Sequence, residues 1–388
     1  MKLLYILTHQ IHNLTPLFRE LSIKKNVDFK AIYWQKISSK YFDPEFNKII
    51  DFGIDQFEGY SHESLFNEEK KTYDFSFFFK LKITVKLVKL LISSDYNTII
   101  FHGYSFPHIF GLIIAKLFNK KTIMRSISYN LGKKNLLKKI IRFIYYRFAN
   151  FFIDEYWTIH NLNEKFFLDF GAKKNSFVFI DHCQGEYSKL LSTNKNLLLN
   201  KEKFTNKYDL PNNKKFIFFG GRFIKRKNPE YLYDAFIEAN LSNDWFLIMV
   251  GNGELKAKIE DKNRSNKLKN IKFLDFQDQK SLINFFTYSE ILVLPSELGD
   301  THGNIAAEAV QFGCALILSN MVGLRTECID NKIGLVFDIE NKNELVDHLR
   351  LLTKESKILD NFQKNAFEFG KTKTPEHAAN LIAQSLEL

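Results

Sequence analysis

The chain has 388 residues, 45% hydrophobic and 26% charged, which suits a soluble protein of two domains, each large enough to bury a core. Its apolar runs fall short of the roughly 18 to 20 residues of a membrane-spanning helix, and Cys183, Cys314 and Cys328 have unrelated spacings that exclude a disulfide framework or zinc pattern and fit a reducing cytoplasm. The formal charge of +11 carries less meaning, because Lys, Asn, Ile and Phe are abundant throughout, as an AT-rich genome alone produces.

The opening "KLLYILT" reads as a buried strand rather than a signal peptide, since its short apolar part runs into Thr8, His9 and Gln10 without a small-residue cleavage site. A helix "PLFRELSIKK" and a strand "VDFKAIYW" follow. "NTIIFHGYS" and "KTIMRSIS" are strands on either side of a helical "FPHIFGLIIAKLFN", and "DEYWTIH" leads into "NEKFFLDFG". Two segments of this half are both cationic and apolar, Phe77 to Ile92 and Lys133 to Phe152. In the second, Leu136, Ile140, Ile144 and Phe148 recur at helical spacing while Lys134, Lys138, Lys139 and Arg142 fall largely elsewhere. That is the composition of a helix lying on an anionic membrane surface, although a core-facing helix with a solvated basic side has the same pattern.

Alternation lapses between Tyr187 and Lys214, a polar, lysine-rich stretch, and residues 196–213 are read as a linker between an N-terminal domain, 1–195, and a C-terminal domain, 214–365. Residues 366–388 are expected to form a helix returning to the first domain. Past the linker, "KFIFFGGRF", "WFLIMVGNGE", "IKFLDF", "EILVLPS" and "ALILSN" are strands, with "NPEYLYDAFIEAN", "KSLINFFTYS" and "GNIAAEAVQFG" as helices among them. Short apolar strands alternating with longer helices imply parallel sheets covered on both faces. Two doubly wound α/β domains result, with ligands expected at the carboxyl ends of the strands, in a cleft between the domains.

The chemistry concentrates in the second half. After its first strand come Gly220 and Gly221, then Arg222, Lys225, Arg226 and Lys227 before a helix that begins near Pro229. Glycines let backbone approach a ligand, and cations leaving a strand end suit phosphate oxygens. A second glycine turn, at Gly251 and Gly253, follows the next strand. Asp300, Gly303 and Asn304 stand just before a helix start and Glu308 one turn inside it. N–H groups at a helix start favour anionic or hydroxyl oxygens, and the carboxylates accept hydrogen bonds from vicinal hydroxyls. Phosphate donors with hydroxyl acceptors point to a sugar nucleotide.

With these motifs in order, residues 215 to 330 resemble the nucleotide-sugar domain of the retaining GT-B glycosyltransferases of family four, two Rossmann-like domains facing a central cleft. The "GGR" turn with a lysine five positions after the arginine falls on Arg222 and Lys227, and the family's paired carboxylates on Asp300 and Glu308 within "DTHGNIAAEA". By that resemblance Arg222 and Lys227 grip the donor diphosphate beside Gly221 and Gly251. Glu308 holds the nucleotide ribose, and Asp300 meets the transferred sugar with the N–H groups of Gly303, Asn304 and Ile305. The first carboxylate is usually Glu in the family and Asp275 stands where glycine is common. In the N-terminal half, "THQIHNLTP" replaces a glycine-rich loop and Arg125 and Ser126 stand where relatives place a histidine or acid, which leaves His102 as the polar catalytic candidate there and His9 and His12 as loop histidines.

The resemblance implies a hexose-type transferase that takes a nucleoside diphosphate sugar as co-substrate, without a metal or other cofactor, and passes the sugar to a glycan or polyprenyl-linked saccharide in surface polysaccharide synthesis. It would work in the cytoplasm, peripherally on the inner face of the cytoplasmic membrane, with no nucleic-acid partner. The alternatives are a nucleotide-sugar epimerase of the same fold and a non-catalytic sugar-nucleotide or polyanion-binding protein; nucleotide release with and without acceptor separates them.

Overall fold

A computed structural model of the chain describes residues 1–388 except 39, 44–47, 52–54, 71–72, 129–135, 183–184 and 388. Cys183, Lys133 and Lys134 therefore lie outside the described residues. The chain divides into a first unit, Met1–Tyr41, Ile54–Cys183 and Pro375–Leu388, and a second, Phe42–Gly53 and Gln184–Thr374.

The early elements are β1 (Lys2–Leu7), α1 (Thr15–Ser22), β2 (Asp28–Ile37), β3 (Lys40–Asp43), β4 (Lys48–Asp51), β5 (His62–Lys70) and α2 (Phe77–Ser93). There follow β6 (Thr98–His102), α3 (Phe106–Leu117), β7 (Lys121–Arg125), α4 (Leu136–Asn150), β8 (Glu155–Thr158), α5 (Asn161–Asp169) and β9 (Phe177–Phe179). Apart from the β3–β4 pair, the strands form one parallel sheet in the order β5-β2-β1-β6-β7-β8-β9. Its central strands are apolar on both faces, as a sheet covered on both sides requires. Ile6, Phe101, Met124 and Tyr156 lie in a core shared with α2, α3, α4 and α5, while Tyr5, Ile100, Ile123 and Trp157 lie in a second core with α1 and the chain's last helix.

Helices α2 and α3 start at serines that satisfy a first-turn N–H group. Ser76 Oγ accepts from Phe79 N, and Ser105 Oγ from His108 N. In α2 the buried residues Phe79, Ile83, Leu87 and Leu91 recur every fourth position, so one stripe faces the sheet.

The second unit comprises α6 (Tyr187–Thr193), α7 (Lys201–Tyr208), β10 (Lys215–Gly220), α8 (Pro229–Ala239), β11 (Trp245–Val250), α9 (Lys256–Asn266), β12 (Ile271–Leu274) and α10 (Gln279–Tyr288). It continues with β13 (Ser289–Leu294), α11 (Asn304–Ala309), β14 (Ala315–Ser319), α12 (Arg325–Asp330), β15 (Gly334–Phe337), α13 (Lys342–Lys354) and α14 (Ser356–Gly370). The final helix, α15 (Pro375–Glu387), belongs to the first unit, where Ala378, Ala379 and Ile382 enter the α1 core.

All six strands of the second sheet are parallel, in the order β12-β11-β10-β13-β14-β15. Strand order reverses between β10 and β13, so their carboxyl ends flank the crevice where a doubly wound sheet binds ligand.

Several elements differ from the sequence reading. Residues 196–213 contain α7, whose Phe204 and Tyr208 enter the second unit's core, so apolar anchors at helical spacing make the expected linker part of that unit. The chain enters the second unit at Gln184 rather than beyond residue 195, and Phe42–Gly53 joins it as well. Strand β5, "HESLFNEEK", is polar and lies at the sheet edge, where charged side chains oppose further strand pairing; that composition hides it from an apolar pattern.

Candidate functional site

Three strand-end loops of the second unit interlock. At the end of β10, a Cβ on Gly220 would lie 2.4 Å from Ile305 Cδ1, so glycine is what lets this strand end touch the start of α11. Gly251 closes β11 at φ +144°, where a Cβ would sit 1.9 Å from the Gly221 carbonyl oxygen. Gly221 N donates to Val250 O at 3.0 Å and Phe223 N to Asn252 O at 2.8 Å. The "GNG" segment is thus a backbone mate of the "GGR" turn. The third loop follows β13. Glu297 N donates to Arg226 O at 2.9 Å, Asp300 N to Met321 O at 2.9 Å and Gly323 N to Asp300 O at 2.8 Å, and Gly303 adopts φ +90° as the residue before α11.

The charged groups meet on this frame. Lys227 Nζ donates to Asp300 Oδ2 across a largely buried ion pair, and Gly303 N donates to Asp300 Oδ1 at 3.3 Å. Burial pushes the Asp300 carboxyl up, but the Lys227 ammonium, helped by Arg226 and the Gly303 N–H, outweighs it and holds the carboxyl below its ordinary range. Arg222 Nη2 donates to Asp43 Oδ2 at 2.8 Å, with the Asp43 side chain 7% exposed. Both cations thus lie beside carboxylate oxygens, the kind of acceptor a phosphate also offers.

Glu308, inside α11, is buried beneath this surface. Burial pushes its carboxyl up to about 7, with the facing Tyr187 hydroxyl pulling weakly the other way. A carboxyl so placed is protonated over part of the physiological range and gains from any ligand hydroxyl that donates to its ionised form.

The structure therefore brings Gly221, Arg222, Lys227, Gly251, Asp300, Gly303, Asn304, Ile305 and Glu308 into one region of the second unit. Asp275, at the end of β12, accepts from Asn252 Nδ2 at 3.0 Å and Lys256 Nζ at 2.6 Å and pairs with Lys48 Nζ at 2.8 Å. Those partners hold its carboxyl well below the usual range.

His102 closes β6 in the first unit, half-buried, its Nδ1 2.9 Å from Tyr5 Oη. Burial, with Arg125 adding, pushes the imidazole down to about 3, so it is a neutral hydrogen-bonding group, not a cation. His9 is half-buried rather than solvated, 2.8 Å from Thr8 Oγ1, and burial pushes it down to about 4. Arg125 is fully buried, with Nη2 donating to Asp181 O at 3.2 Å.

Sequence reading missed two residues of the site. Asp43 lies 179 positions before the arginine it pairs with, and no local pattern marks it. Tyr187 opens a stretch that looked like the approach to a linker.

Residues 200–369 match the family described as glycosyl transferases group 1. An uncharacterised glycosyltransferase of Methanocaldococcus jannaschii is 24% identical over 287 residues, 74% of this chain and 74% of that one. The N-acetylgalactosamine-N,N'-diacetylbacillosaminyl-diphospho-undecaprenol 4-alpha-N-acetylgalactosaminyltransferase of Campylobacter jejuni is 26% identical over 159 residues, 39% of this chain and 41% of that one. Among solved structures, HepE of Anabaena in complex with UDP and glucose has a TM-score of 0.66 at 13% identity and covers 100% of this chain and 99% of its own. That likeness shows the fold, which is GT-B with two Rossmann-like units.

Proposed function

We propose that this chain, whose residues 200–369 match the group 1 glycosyl transferases, moves a hexose-type sugar from a nucleoside diphosphate sugar to a glycan or lipid-linked saccharide. Transfer retains the anomeric configuration and serves surface polysaccharide synthesis. The observation that carries the reading is the Lys227–Asp300 pair beside the strand ends where strand order reverses, with Arg222 in the same turn as Lys227 and Glu308 in the helix that follows Asp300. The solved neighbour bound to UDP and glucose supports such a donor. The Campylobacter relative, named for transfer to a diphospho-undecaprenol-linked sugar, supports a lipid-linked acceptor.

Arg222 and Lys227 hold the donor diphosphate and stabilise the charge it gains as the glycosidic bond breaks, the positive charge that a metal ion supplies in other transferases. The backbone at Gly221 and Gly251 lets the phosphates approach. Glu308 accepts from the ribose hydroxyls, and Asp300 from a sugar hydroxyl beside the N–H groups of Gly303, Asn304 and Ile305. Both cations are held by carboxylates in this structure, so the diphosphate displaces Asp43 from Arg222 and shares Lys227 with Asp300. His102 acts on the acceptor side as a neutral hydrogen-bonding group.

The test is release of nucleoside diphosphate from a panel of sugar nucleotides, with and without a polyprenyl-linked saccharide. Acceptor-dependent release supports transfer, whereas release of an altered sugar nucleotide without acceptor is the epimerase outcome and contradicts it.

A further inference from the structure

We propose that Arg125 holds the anionic group of a ligand, a phosphate or a carboxylate, at the carboxyl end of the first unit's sheet. Side chains alternate along β7, so Arg125 shares with Ile123 the face of the sheet that α1 and α15 cover. Its side chain is fully buried. A guanidinium does not shed its proton, so the charge is buried with it. Nη2 donates only to a backbone carbonyl, Asp181 O at 3.2 Å, and Nε and Nη1 have no hydrogen-bond partner. The Asp181 carboxylate lies instead with His377 of α15, Oδ2 to Nε2 at 3.4 Å. Among the described residues no carboxylate forms an ion pair with Arg125. A charge buried in this state is costly until an anion joins it, whereas an arginine that serves the fold alone is buried together with its carboxylate.

The way in runs along the strand ends. His102 stands opposite Arg125 in the β6–β7 register and is only half-buried. Gly103 N donates to Arg125 O at 2.8 Å, and a Cβ on Gly103 would meet no atom within 4 Å, so the turn bonded to Arg125 borders open space. His108 Nδ1, 2.7 Å from Gly103 O, fixes that turn. Phosphate and carboxylate oxygens both suit the guanidinium, because they accept N–H donors and carry the missing charge. A neutral sugar hydroxyl supplies no charge.

The inference does not rest on the glycosyl-transfer reading, since the unpaired guanidinium calls for an anion whatever the chain transfers. Where that reading holds, the group belongs to the acceptor, as the phosphate of a lipid linkage or as an acidic sugar. Calorimetry on the full chain with pyrophosphate, glucuronate and glucose tests it, in wild type, Arg125→Met and Arg222→Ala. Binding that Arg125→Met weakens at least about tenfold, and that Arg222→Ala leaves intact, is binding at this site, because Arg222 belongs to the second unit. Such binding by pyrophosphate alone marks a phosphate linkage and by glucuronate alone an acidic sugar, and glucose shows none. Without anion, Arg125→Met should melt no lower than wild type, because an apolar side chain replaces an uncompensated charge. A variant that melts lower shows that the fold already compensates the guanidinium, and overturns the proposal. So does the absence of any Arg125-dependent anion binding, the result expected if buried water alone serves Nε and Nη1.

Discussion

Glu308→Gln separates the cost of a buried charge from its use. The Glu308 side chain is buried and its carboxyl is pushed by burial from 4.5 up to about 7. Because the folded value is the higher one, the stability that protonated Glu308 contributes is fully present below pH 4.5. It is lost as pH rises towards about 7. At 1.36 kcal/mol per pH unit, that span corresponds to about 3 kcal/mol. Gln is neutral throughout, so the variant avoids this loss. Urea denaturation from pH 4.5 to 8 should show the two proteins nearly equal at the acid end, with the variant more stable at the alkaline end by up to about 3 kcal/mol. Taking the difference between the two proteins cancels every other titrating group. Nucleotide affinity should move the opposite way. Ribose hydroxyls donating to the ionised carboxylate strengthen wild-type binding as pH rises through 7, whereas the variant binds about tenfold more weakly at pH 8 and without that dependence. A variant less stable than wild type at pH 8 would refute the argument, because it would mean that the fold favours the ionised carboxylate.

Asp43→Asn removes the carboxylate that holds Arg222 and should raise nucleoside diphosphate affinity about fivefold by calorimetry; weaker binding contradicts the displacement of Asp43 by phosphate. Lys227→Ala strips Asp300 of its ammonium, and with Arg222→Ala as the parallel case should lower turnover by about a hundredfold, near 3 kcal/mol of barrier. Near-wild-type turnover in both variants would remove the diphosphate clamp. Asp300→Asn should spare affinity for the bare nucleotide and reduce transfer, so equal loss of nucleotide binding in Asp300→Asn and Glu308→Gln contradicts their separate roles. Gly251→Ala places a methyl 1.9 Å from the Gly221 carbonyl at a positive φ, and a melting temperature unchanged by it would contradict the interlock of the two turns.

Much of this was readable because parallel strands buried on both faces leave apolar runs such as "KFIFFGG", bounded by turn residues. The candidate donor-site residues stood out because they lie in the glycine turns after β10 and β11 or in the loop and helix that follow β13. What stayed hidden depends on partners distant in sequence. The role of Asp43 exists only through Arg222, and Tyr187 matters through Glu308. Helix α7 was concealed by its lysines, since only Phe204 and Tyr208 reveal which side is buried.

The central claim is that the crevice between β10 and β13 binds a nucleoside diphosphate, and calorimetric titration of UDP, ADP, GDP and CDP into wild type and Arg222→Ala tests it most directly. One of the four should bind the wild type and lose at least about tenfold in affinity when the guanidinium is removed, about 1.4 kcal/mol, with the melting temperature of the free protein unchanged. If none of the four binds, or if Arg222→Ala binds as tightly as wild type, the crevice is not a nucleoside diphosphate site and the donor assignment fails.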